Sequence, residues 1–147
     1  MFESACVVGA GRVGRAMATR LGGRIPTRTT GRELDCAQAE LVLLCVPDRA
    51  IPEVAAAVAP GPWLAHTSGA SRLEALAPHE RRFSLHPLQT FTLDRGPEQL
   101  DGAWAAISPT FSGSGLSSWT TRLVLSTTRQ RASGRPSLSP STTSRPG

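Results

Sequence analysis

The chain has 147 residues, 16 of them arginine and none lysine, against 11 acidic side chains, for a formal net charge of +5. That length accommodates one domain of about 100 residues with a tail. No apolar run is long enough to span a membrane, and "MFESACVVGAGRVG" lacks the basic start and long apolar core of a secretion signal, so the expected setting is soluble and cytoplasmic. The three cysteines, Cys6, Cys36 and Cys45, are an odd number without C-x-x-C spacing, which argues against both disulfides and zinc.

The charge is unevenly distributed. Residues 1–108 carry 11 arginines and all 11 acids, whereas residues 109–147 carry five arginines and no acid. The second segment holds 17 serines and threonines in 39 residues and shows no apolar periodicity, so it reads as a disordered, low-complexity basic tail. Basicity confined to such a tail gives weak phosphate attraction without base readout, which excludes a specific nucleic-acid binder.

In chain order, "SACVVGAG" is a short buried strand ending in glycines. Val13, Ala16, Met17 and Leu21 then share one helical face, and Gly22-Gly23 stops the helix. "RIPTRTT" is a second strand, weakened by Pro26, and "AELVLLCVP" a central strand covered on both faces. Asp48 is placed to cap a helix whose apolar face is Ile51, Val54, Ala55 and Val58. "WLAHT" is the next strand, "SRLEALA" a short helix, "RRFSLH" a further strand and "AWAAI" a last one. Strands alternating with short helices predict an α/β fold with a doubly wound parallel sheet over residues 1–108.

Gly9, Gly11 and Gly14 form G-x-G-x-x-G between the first strand and the first helix, the context in which such a turn cradles a pyrophosphate. The expected cofactor contacts are therefore Gly9, Ala10, Gly11, Arg12, Val13 and Gly14, joined by Val46 and Pro47 beyond the central strand. About 20 residues on, an NAD site would place an acid. Here the chain offers Arg28, Thr29 and Arg32, with no acid before Glu33, and arginine forks suit a 2′-phosphate, so NADP is favoured over NAD.

Ligands of an open α/β sheet bind beyond the carboxyl ends of its strands, where "HTSGA" and "SLHPLQTF" fall. Ser71 and Glu74 fit a capping box, which leaves Ser68 without a structural duty and makes it a substrate-binding candidate, with Gly69 keeping the approach open. His86, on the face opposite Phe83 and Leu85, is the candidate general acid or base; His66 is a second, and His79 reads as exposed. A lone histidine at a strand end is more often structural than catalytic, His66 being the weaker candidate of the two, and no G-x-S-x-G hydrolase elbow occurs.

On "VVGAGRVG", "TRT", "LLCVPDRAI", "HTSGA" and "SLHPLQTF", in that order over about residues 5–107, the chain resembles a bacterial family of Rossmann-type oxidoreductases of unestablished substrate. It is similar in style to pyrroline-5-carboxylate reductases and β-hydroxyacid dehydrogenases. The resemblance implies NADP-dependent oxidation or reduction of a small substrate, a site lined by the last two motifs, and a C-terminal helical domain that forms homodimers in full-length relatives. This chain matches the N-terminal domain alone. With its third bases freely chosen, "LVLSTTRQ" back-translates in another frame to Arg-Pro-Leu-Tyr-His-Ala-Ala-Ala, which resembles the start of that helical domain, so the residues from about 109 onward are open to being out-of-frame product. Two functions remain open at this point: the cofactor half of an oxidoreductase, with little turnover by itself, and a non-catalytic dinucleotide-binding module.

Overall fold

The computed structural model describes residues 1–109 and the backbone of residues 119–122. Its strands are β1 (Ala5–Val8), β2 (Thr27–Thr30), β3 (Leu41–Leu44), β4 (Trp63–His66), β5 (Arg82–Pro87), β6 (Trp104–Pro109) and β7 (Trp119–Arg122), and its helices α1 (Arg12–Gly22) and α2 (Ile51–Ala57). They form one sheet in the order β2-β1-β3-β4-β5-β6-β7. β1 to β5 run parallel, whereas β6 and β7 are antiparallel additions, so the expected parallel sheet holds for its first five strands. The reversal at β6 arises because residues 88–103 return without a crossover helix; their only helical piece is a 3-10 turn, Pro97–Leu100. The expected tail lies outside the described residues, apart from Pro109 and the four residues of β7.

The central strands are apolar on both faces because each face is covered. Ala5, Val7, Leu41, Leu43 and Ala65 pack under Ala16 and Met17 of α1. Cys6, Val8, Val42, Leu44 and Leu64 pack under Ile51 and Ala55 of α2 and under Leu76. A fully buried leucine such as Leu64 contributes roughly 1.5–3 kcal/mol, which is why "LVLL" and "CVV" admit no polar residue.

Helix ends differ from the sequence expectation. Asp48 starts a 3-10 turn, Asp48–Ala50, that precedes α2, and no side chain caps either element. "SRLEALA" forms only a 3-10 turn, Leu73–Leu76, entered from Arg72 without a side-chain cap, so Ser71 and Glu74 make no capping box. His79 is buried, not exposed, and its Nε2–H donates to the Ala55 carbonyl at 2.9 Å, tying the segment after that turn to α2.

The argument against a disulfide is overturned as well. Cys6 and Cys36 are bonded, with Cα atoms 5.5 Å apart. Spacing gave no sign of this, because the irregular segment 31–40 between β2 and β3 folds back over β1 and brings residues 30 apart in sequence together. Cys45 stays a free thiol, pushed up to about 12 by burial, with a Thr67 side-chain hydrogen bond acting the other way.

Candidate functional site

Strand order reverses between β1 and β3, since β2 lies on one side of β1 and all later strands on the other. In open α/β sheets the crevice at such a reversal is the ligand site. The glycine turn stands there. Gly9 has φ +108°, and a Cβ on it would lie 2.4 Å from the Cys45 carbonyl oxygen at the end of β3. A Cβ on Gly14 would lie 1.8 Å from the Gly9 carbonyl oxygen. Both glycines are thus required by packing alone.

Gly11 is different. Its φ of −72° and ψ of −171° are open to any residue, and a Cβ there would meet nothing within 4 Å. It is the N-cap of α1, contributes no capping side chain, and is followed by a first turn without an acid. The unsatisfied N–H groups of a helix start, uncapped and beside empty space, suit an anion. Of the other expected contacts, Ala10 and Arg12 are exposed or nearly so at this start, Val13 packs against the core, and Val46 approaches Gly9, its Cγ1 lying 3.4 Å from the position of a Cβ there. Pro47 is exposed beside Val46.

On β2, Arg28 and Thr29 are exposed, as is Arg32 just beyond. Arg28 is not unengaged: its guanidinium pairs with Asp35 of the irregular segment, both side chains remaining more than half exposed. The Thr30 hydroxyl meanwhile bonds the Glu33 carbonyl and turns the chain after the strand.

The histidine-led motifs meet at the ends of β4 and β5. The Nδ1–H of His86 donates to the Thr67 carbonyl at 3.0 Å, and because a carbonyl only accepts, the neutral ring carries its lone pair on Nε2. Thr67 is itself held by its N–H to the Leu44 carbonyl. The His86 ring lies against Gly69, where a Cβ would stand 2.6 Å from Nε2, so Gly69 admits this ring and does not merely leave an approach open. Ser68 does have a structural duty: its Oγ accepts the N–H groups of Ala70 at 3.1 Å and Ser71 at 2.9 Å, and so sets the turn that presents Gly69 to His86. Its hydroxyl hydrogen is still available to a ligand.

His66 shares the α2 face with Leu64 and is fully buried, its ring nitrogens making no hydrogen bond of good geometry, with the Arg72 and Ser68 backbone the nearest polar groups acting on it. Burial holds its pKa below the ordinary 6.5; the Arg72 and Ser68 backbone and the Asp48 carboxylate pull back by less, and nearby His86 adds to the lowering. His66 is therefore a buried neutral ring near His86, not a residue at the surface of the site.

Sequence reasoning missed Gln99. This buried side chain accepts the Thr92 N–H at 2.8 Å and donates to the carbonyls of Arg95 at 2.8 Å and Gly96 at 3.0 Å, organising the segment after β5. Arg20 of α1 clips the same segment through the Pro97 carbonyl and Asp101. A lone glutamine in "GPEQL" carries no pattern from which that role could be read.

A family model described as a Rossmann-like domain matches residues 22–90, beginning after the glycine turn, whose reading therefore rests on its own geometry. Among solved structures, the chain is similar to prephenate dehydrogenase from A. aeolicus, solved with hydroxyphenyl propionate and NAD+, at 15% identity over 75% of this chain and 51% of that one, TM-score 0.57. It is similar to Synechocystis arogenate dehydrogenase at 15% identity over 73% and 50%, TM-score 0.55. A semialdehyde dehydrogenase NAD-binding protein from Cupriavidus necator aligns at 20% identity over 65% and 45%, TM-score 0.49. The chain spans about half the length of these proteins. No curated protein matches it. Sheet order, the family model over residues 22–90 and the likeness to the prephenate and arogenate dehydrogenase structures together show a Rossmann-like fold.

Proposed function

We propose that this domain binds NADP(H) and is the cofactor-binding half of an oxidoreductase acting on a small substrate. The observation that supports dinucleotide binding best is Gly11: packing accounts for Gly9 and Gly14, whereas a side chain at Gly11 would enter only the open space before the uncapped start of α1. A pyrophosphate in that space accounts for the glycine. The preference for NADP rests on Arg28 and Thr29 in β2 and Arg32 just beyond it, a stretch with no acid of its own before Glu33, while Asp35, the carboxylate nearest Arg28, is engaged with it.

When bound, the nicotinamide supplies hydride transfer. The chain's own contributions follow from its atoms: α1 and the glycine turn hold the phosphates, the Ser68 hydroxyl donates to a substrate carbonyl or carboxylate, and His86 Nε2 takes or returns a proton. Low turnover by this domain alone belongs to the same reading, since the residues named here bind the cofactor and reach a substrate from one side only.

Parallel titrations with NADPH and NADH test the reading. NADPH binding at least about tenfold tighter is expected from a charge-assisted arginine–phosphate contact. A preference for NADH removes the role of Arg28 and Arg32, and binding of neither removes the function. The second reading, a binding module without chemistry, draws on His86, whose ring is already committed to Thr67 and Gly69. Steady NADPH oxidation with small imines or keto acids decides for the enzyme.

A further inference from the structure

Segment 31–40 contains neither helix nor strand, yet it carries the partner of the arginine on which cofactor choice rests. Three contacts hold its first half. Thr30 bonds Glu33, Arg28 pairs with Asp35, and Cys36 is bonded to Cys6. The last two are one arrangement in space: Cys6 is in register with Arg28 across the β1–β2 ladder, and the Cys6 sulfur lies 3.8 Å from the Asp35 carbonyl oxygen. Cys6 is fully buried, whereas Cys36 is half-buried and lines an open cleft with Thr27, Arg28 and Asp35, so a reductant reaches the bond from the Cys36 side.

We propose that the Cys6–Cys36 disulfide is a redox clamp on cofactor choice: closed, it holds the Asp35 carboxylate on the Arg28 guanidinium; open, it releases Asp35 and leaves Arg28 to a nucleotide's ribose phosphate. This inference rests on the NADP reading above. The opening step is thiol–disulfide exchange with a dithiol reductant. One thiolate of the dithiol attacks the Cys36 sulfur, the Cys6–Cys36 bond breaks, and Cys6 leaves as a thiolate that takes up a proton. The second thiol of the reductant then displaces Cys36 and closes the reductant's own disulfide. Two electrons and two protons pass from the dithiol to the two cysteines, and nothing else is consumed.

The size of the effect is bounded by the ion pair. Arg28 and Asp35 are 58% and 65% exposed, and pairs of that kind contribute little, so the clamp modulates binding and does not abolish it. On this reading Asp35 also repels a phosphate drawn to Arg28, and its release removes that repulsion, whereas NADH, without the phosphate, is indifferent.

The test uses the whole chain in two states, air-oxidised and reduced with dithiothreitol, with thiols counted by alkylation after denaturation. One reactive thiol, Cys45, is expected in the oxidised state and all three in the reduced. NADPH and NADH are titrated into both states and into oxidised Asp35→Asn. Reduction is expected to tighten NADPH at least about threefold while leaving NADH unchanged, as fits the worth of an exposed pair, and Asp35→Asn is expected to do the same without reduction. Three thiols after oxidation, loss of fold on reduction, or an unchanged NADPH to NADH ratio across the two states overturns the clamp. If Asp35→Asn favours NADPH but reduction changes nothing, the clamp fails and the NADP reading stands. If no form favours NADPH, the NADP reading fails and the clamp with it.

Discussion

His86 and Gly69 are in direct contact: a Cβ on Gly69 would stand 2.6 Å from Nε2 and 2.8 Å from Cε1 of the His86 ring. The ring cannot recede without giving up its Nδ1–H bond to the Thr67 carbonyl. Gly69→Ala is therefore expected to cost about 1–3 kcal/mol through overpacking. It should also change the Nε2 environment, seen as a shifted histidine resonance in NMR. An unchanged His86 spectrum in the alanine variant would mean that the loop yields instead of the ring, and that Gly69 does not position His86.

The glycine turn makes a sharper separation between folding and binding. Gly14→Ala places a Cβ 1.8 Å from the Gly9 carbonyl, so it is expected to lower the melting temperature steeply or prevent folding. Gly11→Ala meets nothing within 4 Å and should melt like the parent, or slightly higher, while losing NADPH affinity by about tenfold or more. Melting curves and NADPH titration of the two variants check this. Full affinity in Gly11→Ala would leave that glycine without a ligand to explain it.

The fold was legible where one physical rule acts locally. The runs "CVV" and "LVLL", the helical face of Ala16 and Met17, and the strand-to-helix position of Gly9 to Gly14 each carry their own evidence, and each stands where expected. What could not be read depends on contacts distant in sequence. Asp48 and Ser71 have the residue types of caps, but the turns that follow begin as 3-10 elements with no geometry for the bond, and Ser68 takes the turn's N–H groups instead. The Cys6–Cys36 bond spans 30 residues and needs the path of segment 31–40, which no periodicity describes. The two candidate histidines fall at the expected strand ends, but only the structure separates them, burying His66 without a hydrogen bond of good geometry and orienting His86 through Thr67.

His66 gives a prediction with a definite sign in pH. Its folded pKa lies below 6.5 chiefly because burial disfavours the charged ring. Between the lowered folded value and 6.5 the unfolded chain binds the extra proton, so the stability present above pH 6.5 is lost as pH falls through that window. His66→Phe removes this proton linkage and, since neither ring nitrogen makes a hydrogen bond of good geometry, forfeits little polar contact. Between pH 7.5 and 5.5 the parent's melting temperature is expected to fall more than the variant's. Parallel decreases would show that another group governs acid sensitivity.

Gln99 yields the last prediction, one of stability rather than binding. Its amide, itself buried, serves the Thr92 N–H and the Arg95 and Gly96 carbonyls and so ties three points of the segment together. Gln99→Leu keeps the side chain's bulk but removes these hydrogen bonds, at about 0.5–1.5 kcal/mol each. Gln99→Glu retains the acceptor for Thr92 but replaces the donor with a carboxylate facing two carbonyls, so it is expected to be no better near neutral pH and to recover in part as the carboxylate is protonated. Chemical denaturation of both variants at pH 7 and pH 4.5 reads this out. A leucine variant as stable as the parent would show that residues 88–101 hold their path through Arg20 and the Pro97–Leu100 turn alone.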